Sequence, residues 1–67
     1  MINVKINGEN KKIKSKTSIA DFLKDNNIAP LETTIEYNLE VINQKKISKI
    51  ILKEGDILEI LRFVGGG

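Results

Sequence analysis

Met1 to Asn7 alternates without a break, with Ile2, Val4 and Ile6 on one side and Asn3, Lys5 and Asn7 on the other. A period of two is the signature of a strand buried on one face. Asn7-Gly8 follows, and both residue types accept the positive φ that a two-residue hairpin demands. The return strand is expected over about Asn10 to Lys16, with Ile13 as its one large hydrophobe. Lys12, Lys14 and Lys16 alternate along it. They read either as a basic binding stripe or, preferably, as charges that keep an edge strand from pairing with another chain.

The period then changes. Ile19, Phe22 and Leu23 stand at i, i+3 and i+4, the spacing of one apolar helix stripe. Thr17 or Ser18 supplies the N-cap, and Ser18 followed by Asp21 resembles a capping box with Asp in place of Glu. Asn26-Asn27 is a stop, and Ala29-Pro30 prevents continuation because the residue before proline is driven out of the helical region. Core packing against a sheet is the preferred role for this stripe.

From Thr33 to Ile42 strand patterning returns, with Ile35, Tyr37, Val41 and Ile42 as core or cross-strand residues. Asn43 to Lys49 is polar and reads as irregular chain with a turn of 3₁₀ helix, after which Ile51 or Leu52 plugs the core from a loop. Glu54-Gly55-Asp56 reads as a turn and Ile57 to Phe63 as the last strand. The order is strand, strand, helix, strand, short strand, strand. It predicts an α+β class, with one main helix packed on one face of a mixed sheet of four to five strands.

Composition narrows the chemistry. The chain has 67 residues, enough for one domain with a small core. It contains no cysteine and no histidine, which removes disulfides, thiolate nucleophiles and the commonest general base and metal ligand. A net charge of +2 with interleaved signs says little about partners. No apolar run approaches the length of a membrane span, so a cytoplasmic location without membrane attachment is expected. Asp21 and Asp25 share a helix side, but paired carboxylates do acid–base work only in a pocket that separates their pKa values. The Glu54-Gly55-Asp56 turn lacks the ligand count of a calcium loop. No bound metal or stably held cofactor is expected.

The remaining candidate is Phe63-Val64-Gly65-Gly66-Gly67. Three consecutive glycines are costly to order and read as a flexible tail. A frayed terminus or a truncated linker gives the same pattern. In the functional reading, residues without Cβ let a carboxylate thread a narrow channel in a partner enzyme, and five extended residues reach roughly 16–18 Å. A carboxylate becomes reactive once joined to AMP, and a sulfur nucleophile then displaces the AMP to leave a thiocarboxylate. The glycines are followed by no helix and form no phosphate-binding loop. ATP handling and the sulfur source therefore fall to other proteins.

Taken together, several segments resemble the ThiS family, the bacterial sulfur carriers of thiamin biosynthesis. They are Ile6-Asn7-Gly8-Glu9, Thr17-Ser18-Ile19 leading to Phe22-Leu23, Ile35-Glu36-Tyr37-Asn38, the run Leu52 to Ile60 through Glu54-Gly55-Asp56, and the final Phe63-Val64-Gly65-Gly66-Gly67. The resemblance implies the β-grasp (ubiquitin-like) fold over residues 1–62 and a flexible tail over 63–67. It implies that Gly67 is adenylated by an E1-like enzyme of the ThiF type, receives sulfur from a sulfur-donating enzyme, and delivers it to a thiazole synthase of the ThiG type. The chain itself would be a protein co-substrate and not an enzyme. In the family a glycine often follows the asparagine matching Asn38, whereas Leu39 stands here, so that turn is expected to be remodelled. MoaD, the small subunit of molybdopterin synthase, is a close cousin with the same terminal chemistry and is the alternative reading.

Alternation in the last strand also suggests a docking surface. With Leu58 and Ile60 toward the core, Ile57, Leu61 and Phe63 point to the uncovered face, with Val64 following and Arg62 as a polar rim. Two other function classes compete: a ubiquitin-like interaction module whose tail is only flexible, and a nucleic-acid-binding domain suggested by the lysine stripe. With three aromatic residues and no stacking platform, nucleic acid is not an expected partner.

Overall fold

The computed structural model describes residues 1–62. Five strands and one α-helix follow one another as β1 (Ile2–Ile6), β2 (Glu9–Ile13), α1 (Ile19–Asp25), β3 (Thr33–Tyr37), β4 (Glu40–Val41) and β5 (Ile57–Arg62). Short 3₁₀ turns occupy Pro30–Glu32 and Gln44–Lys46. The strands form one sheet in the order β2-β1-β5-β3-β4. β1 runs parallel to β5, and the other neighbours are antiparallel. This is the β-grasp arrangement, and β5 lies in its centre.

The β1–β2 hairpin turns where the sequence places it. Asn7 and Gly8 have φ of 50° and 84°, and Ile6 pairs with Glu9 on either side. β2 is an edge strand, but it stops at Ile13 and does not reach Lys16. The reason is local. The Thr17 hydroxyl donates to the Lys14 carbonyl at 2.7 Å and Lys16 takes φ 68°, so the chain turns away from the ladder. Of the three alternating lysines only Lys12 remains on the strand, and no three-lysine stripe forms along it.

Ser18, not Thr17, caps α1: its Oγ accepts the Asp21 N–H at 2.9 Å. Other N–H groups at this end are satisfied from the long loop before β5, Ile19 donating to Ile50 and Ala20 to Ile47 at 3.0 Å each. The helix therefore starts where that loop crosses it. Its far end closes as a Schellman turn, with Asn27 at φ 57° and the N–H of Ile28 donating to the Leu23 carbonyl at 2.9 Å.

Ile19, Phe22 and Leu23 meet Val4, Ile6, Ile35, Leu58 and Ile60 to form the core. Each such side chain stabilises the fold by about 1.5–3 kcal/mol when fully buried. The loop contributes Leu52, with Ile51 left exposed, and also Ile47, which lies in the polar stretch read as irregular. Val41 is a cross-strand residue only. It pairs with Glu36 and is 69% exposed, because its parity on β4 places it away from the helix.

The turn after β3 is not visibly remodelled by Leu39, against expectation: Tyr37 pairs with Glu40 across a two-residue hairpin turn. Asn38 and Leu39 have φ of 50° and 74°, so leucine holds the left-handed geometry that glycine adopts freely, and its side chain is 81% exposed. Left-handed φ costs a non-glycine residue roughly 1–2 kcal/mol, while glycine loses part of that advantage through its unfolded-state entropy. Leu39→Gly is therefore expected to stabilise the protein by about 0.5–1 kcal/mol, read as a higher urea midpoint with an unchanged slope.

Candidate functional site

β5 leads toward the residues on which the functional reading rests. Phe63, Val64, Gly65, Gly66 and Gly67 lie outside the described residues, so the site is the platform that carries them. Leu58 and Ile60 face α1 and are buried, as their alternation requires. Ile57 and Glu59 are half-buried on the opposite face, and Leu61 is 54% exposed there. Arg62 is exposed, pairs with Thr33 and has the parity of Ile60, so it does not share a face with Leu61.

Two asparagine side chains hold β5 in register. The backbone N–H of Asn7 donates to Leu58 O at 2.9 Å, and its side chain then takes the next step of the parallel ladder. Nδ2 donates to Ile60 O at 3.2 Å and Oδ1 accepts the Ile60 N–H at 2.7 Å. On the other side the Asn38 N–H donates to Ile57 O, and Asn38 Oδ1 accepts the Ile57 N–H, both at 2.8 Å. Each amide stands in for a backbone residue at a place where its own chain is turning away.

The Glu54-Gly55-Asp56 turn aims β5. Gly55 has φ 85° and its N–H donates to Asn3 O at 2.8 Å, while Glu54 receives the Asn3 backbone and side-chain N–H groups at 2.9 and 3.1 Å. Those two donors hold the Glu54 carboxyl below its usual pKa. Asp56 is 8% exposed. Its Oδ2 accepts from the Tyr37 hydroxyl at 2.7 Å and the Lys53 N–H at 2.8 Å, and Oδ1 from the Asn38 amide at 3.3 Å. Burial first, then the Asp56 hydrogen bond and charge, push the Tyr37 hydroxyl up to about 12. This network is structural: it fixes where β5 begins.

The uncovered face of the sheet brings together residues that sequence reasoning grouped only in part. Opposite Leu61 lies Thr34, and opposite Glu59 lies Glu36, which in turn faces Val41 across β4. The sequence shows that Ile57 and Leu61 share a face, but not that Glu36 and Val41 join them. That depends on the β3–β5 register. Asp21 and Asp25 lie exposed on the helix, apart from this face. An open groove of about 410 Å³ between β2 and α1 is lined by Lys11, Lys12, Lys14, Phe22 and Asp25, among others. Among the described residues, no helix is long and apolar enough to cross a membrane, and no group of three acidic, cysteine or histidine side chains is placed to hold a metal ion.

A model of the ThiS family matches residues 4–67. The chain belongs to the ThiS family. It is 32% identical to the sulfur carrier protein ThiS of Bacillus subtilis over 65 residues, covering 96% of this chain and 98% of the relative. It also matches thiazole synthases of Paramagnetospirillum magneticum and Magnetococcus marinus, at 29% and 27% identity over 92% and 98% of this chain. The chain spans only about a fifth of the length of those two proteins, 19% and 20%. Among solved structures, the crystal structure of the thiamine biosynthesis protein ThiS from Geobacter metallireducens superposes with a TM-score of 0.80 at 28% identity. That superposition covers 98% of this chain and all of the other. A solution structure from the same organism gives 0.78 at 29% identity, covering 98% and 88%. ThiS membership agrees with the β-grasp sheet and with the turns read from the sequence at Asn7-Gly8 and Glu54-Gly55-Asp56.

Proposed function

We propose that this ThiS-family chain is a sulfur carrier of thiamine biosynthesis and that Gly67 is its working residue. The observation that carries the reading is a family match that runs through the glycines, over residues 4–67, on a fold whose central strand leads to them. The full-length likeness to a B. subtilis sulfur carrier supports it, and the likeness to thiazole synthases supports a thiazole synthase as the sulfur acceptor.

The chemistry is carried out in the active sites of partners. In an E1-like enzyme of the ThiF type, a Gly67 carboxylate oxygen attacks the α-phosphorus of ATP and pyrophosphate leaves. Hydrosulfide, or its equivalent from a sulfur-donating enzyme, then attacks the acyl carbon and AMP departs with the bridging oxygen. The product is a thiocarboxylate, which the thiazole synthase consumes. Gly65 and Gly66 let the tail lie close to channel walls, and the folded body presents the surface that partners recognise. ATP is the activating enzyme's substrate and the carrier holds no cofactor.

Incubation with the activating enzyme of the same organism, ATP and a sulfide source is expected to replace one oxygen by sulfur. The change is read as a rise in intact mass localised to Gly67 by fragmentation. An unchanged mass with an enzyme that sulfurates its own carrier would overturn the reading.

A further inference from the structure

We propose that the uncovered sheet face docks on the sulfur-accepting thiazole synthase, with an arginine of that enzyme seated between Glu36 and Glu59. The inference rests on the sulfur-carrier reading for the identity of the acceptor and on the sheet register for the surface. Glu36 and Glu59 are direct partners across β3 and β5, and both are half-buried. Side chains so placed have Cβ atoms about 4.5–5.5 Å apart, and like charges there destabilise a sheet. Lys5 shares the face, but it is paired with Ile57 and so stands only diagonal to Glu59, where Cβ atoms are about 7–8 Å apart.

The surroundings fit a protein partner. Leu61 and Val41 are 54% and 69% exposed and flank the two carboxylates on the same face, giving apolar contacts on either side of a negative centre. A planar guanidinium has enough donors to engage two facing carboxylates together, which a lysine ammonium does less well. β5 supplies Glu59 and Leu61, and residues 63–67 follow it directly, with a reach of roughly 16–18 Å. An enzyme that holds Gly67 at its reacting centre must therefore lie near the end of β5, which borders this face. The choice of thiazole synthase follows from the two relatives in which a similar segment forms about a fifth of a thiazole synthase chain.

Titration calorimetry of the carrier against the thiazole synthase of the same organism tests the proposal. E36Q/E59Q is expected to weaken binding at least tenfold while raising the carrier's thermal midpoint by about 2–4 °C, because the repulsion is removed from the free protein. E36K/E59K is expected to abolish measurable binding. A Gln variant that binds as wild type overturns the proposal, and so does one that loses affinity and thermal stability together. Loss of adenylation with undiminished thiazole synthase affinity would reassign the face to the activating enzyme and overturn the chosen occupant. Absence of binding by the wild-type carrier also overturns it. The sulfur mass gain uses other enzymes and shows separately whether the carrier reading stands.

Discussion

A carrier extended past Gly67 by a short peptide tag is expected to gain no sulfur, with thermal unfolding that matches the untagged protein. The tag converts the reacting carboxylate into an amide, which cannot attack ATP, so the loss is complete and not a change in affinity. Deleting Gly67 leaves a carboxylate, but one withdrawn by about 3.3–3.6 Å. A displacement well above 1 Å from productive alignment costs on the order of 100-fold or more in rate. Neither change touches residues 1–62, where the core and the β5 clasp reside. Intact mass after incubation and a thermal melt on the same samples check both halves. Sulfur gain in the tagged protein would remove Gly67 from the mechanism.

Asp56→Ala is expected to cost about 3 kcal/mol. One carboxylate satisfies Tyr37, Lys53 and Asn38, and removing it strands donors at the start of β5. The total stability of a chain this size is roughly 3–10 kcal/mol, so this loss leaves a marginal fold. Asp56→Asn retains one acceptor oxygen but turns an N–H₂ toward donors, with an expected cost of about 1–2 kcal/mol. Urea unfolding measures both. The network also gives alkaline sensitivity. The Tyr37 hydroxyl, ordinarily near 10, is held at about 12 in the fold, so its neutral form is favoured there. Its contribution is fully present below pH 10 and is lost as pH rises from about 10 to 12. In Asp56→Ala, spectrophotometric titration should find the phenol lowered from its wild-type position, with burial still holding it up and a correspondingly weaker alkaline loss.

How much of this was legible follows from which forces are local. The Ile2-Val4-Ile6 alternation, the Asn7-Gly8 hairpin and the Ile19-Phe22-Leu23 stripe are each decided within a few residues, and each was readable. β2 was read too long because the lysine alternation does not reveal the Lys16 backbone turn. Ile47 was missed because one hydrophobe in a polar loop has no periodicity to mark it. Asp56 was seen only as a turn residue, since its three donors come from β3, the following turn and the loop. The Glu36–Glu59 opposition is a fact of register between strands more than twenty residues apart, and no local pattern encodes it. The glycines were the clearest chemical signal, because nothing else in a chain without Cys or His competes with them.

The clasp that Asn7 and Asn38 place on β5 has a mechanical meaning. A partner that draws the tail into a channel pulls along the axis of β5. That strand is bound on one side to a parallel neighbour and on the other to an antiparallel one. Load along the strand is shared among hydrogen bonds lying across it, so they must fail together and not one by one as in peeling. The two side-chain amides add rungs on opposite sides of β5, at Ile60 within the strand and at Ile57 where it begins. Under the proposed function, a pull transmitted to β5 would be resisted by these bonds together, which keeps the strand in the sheet.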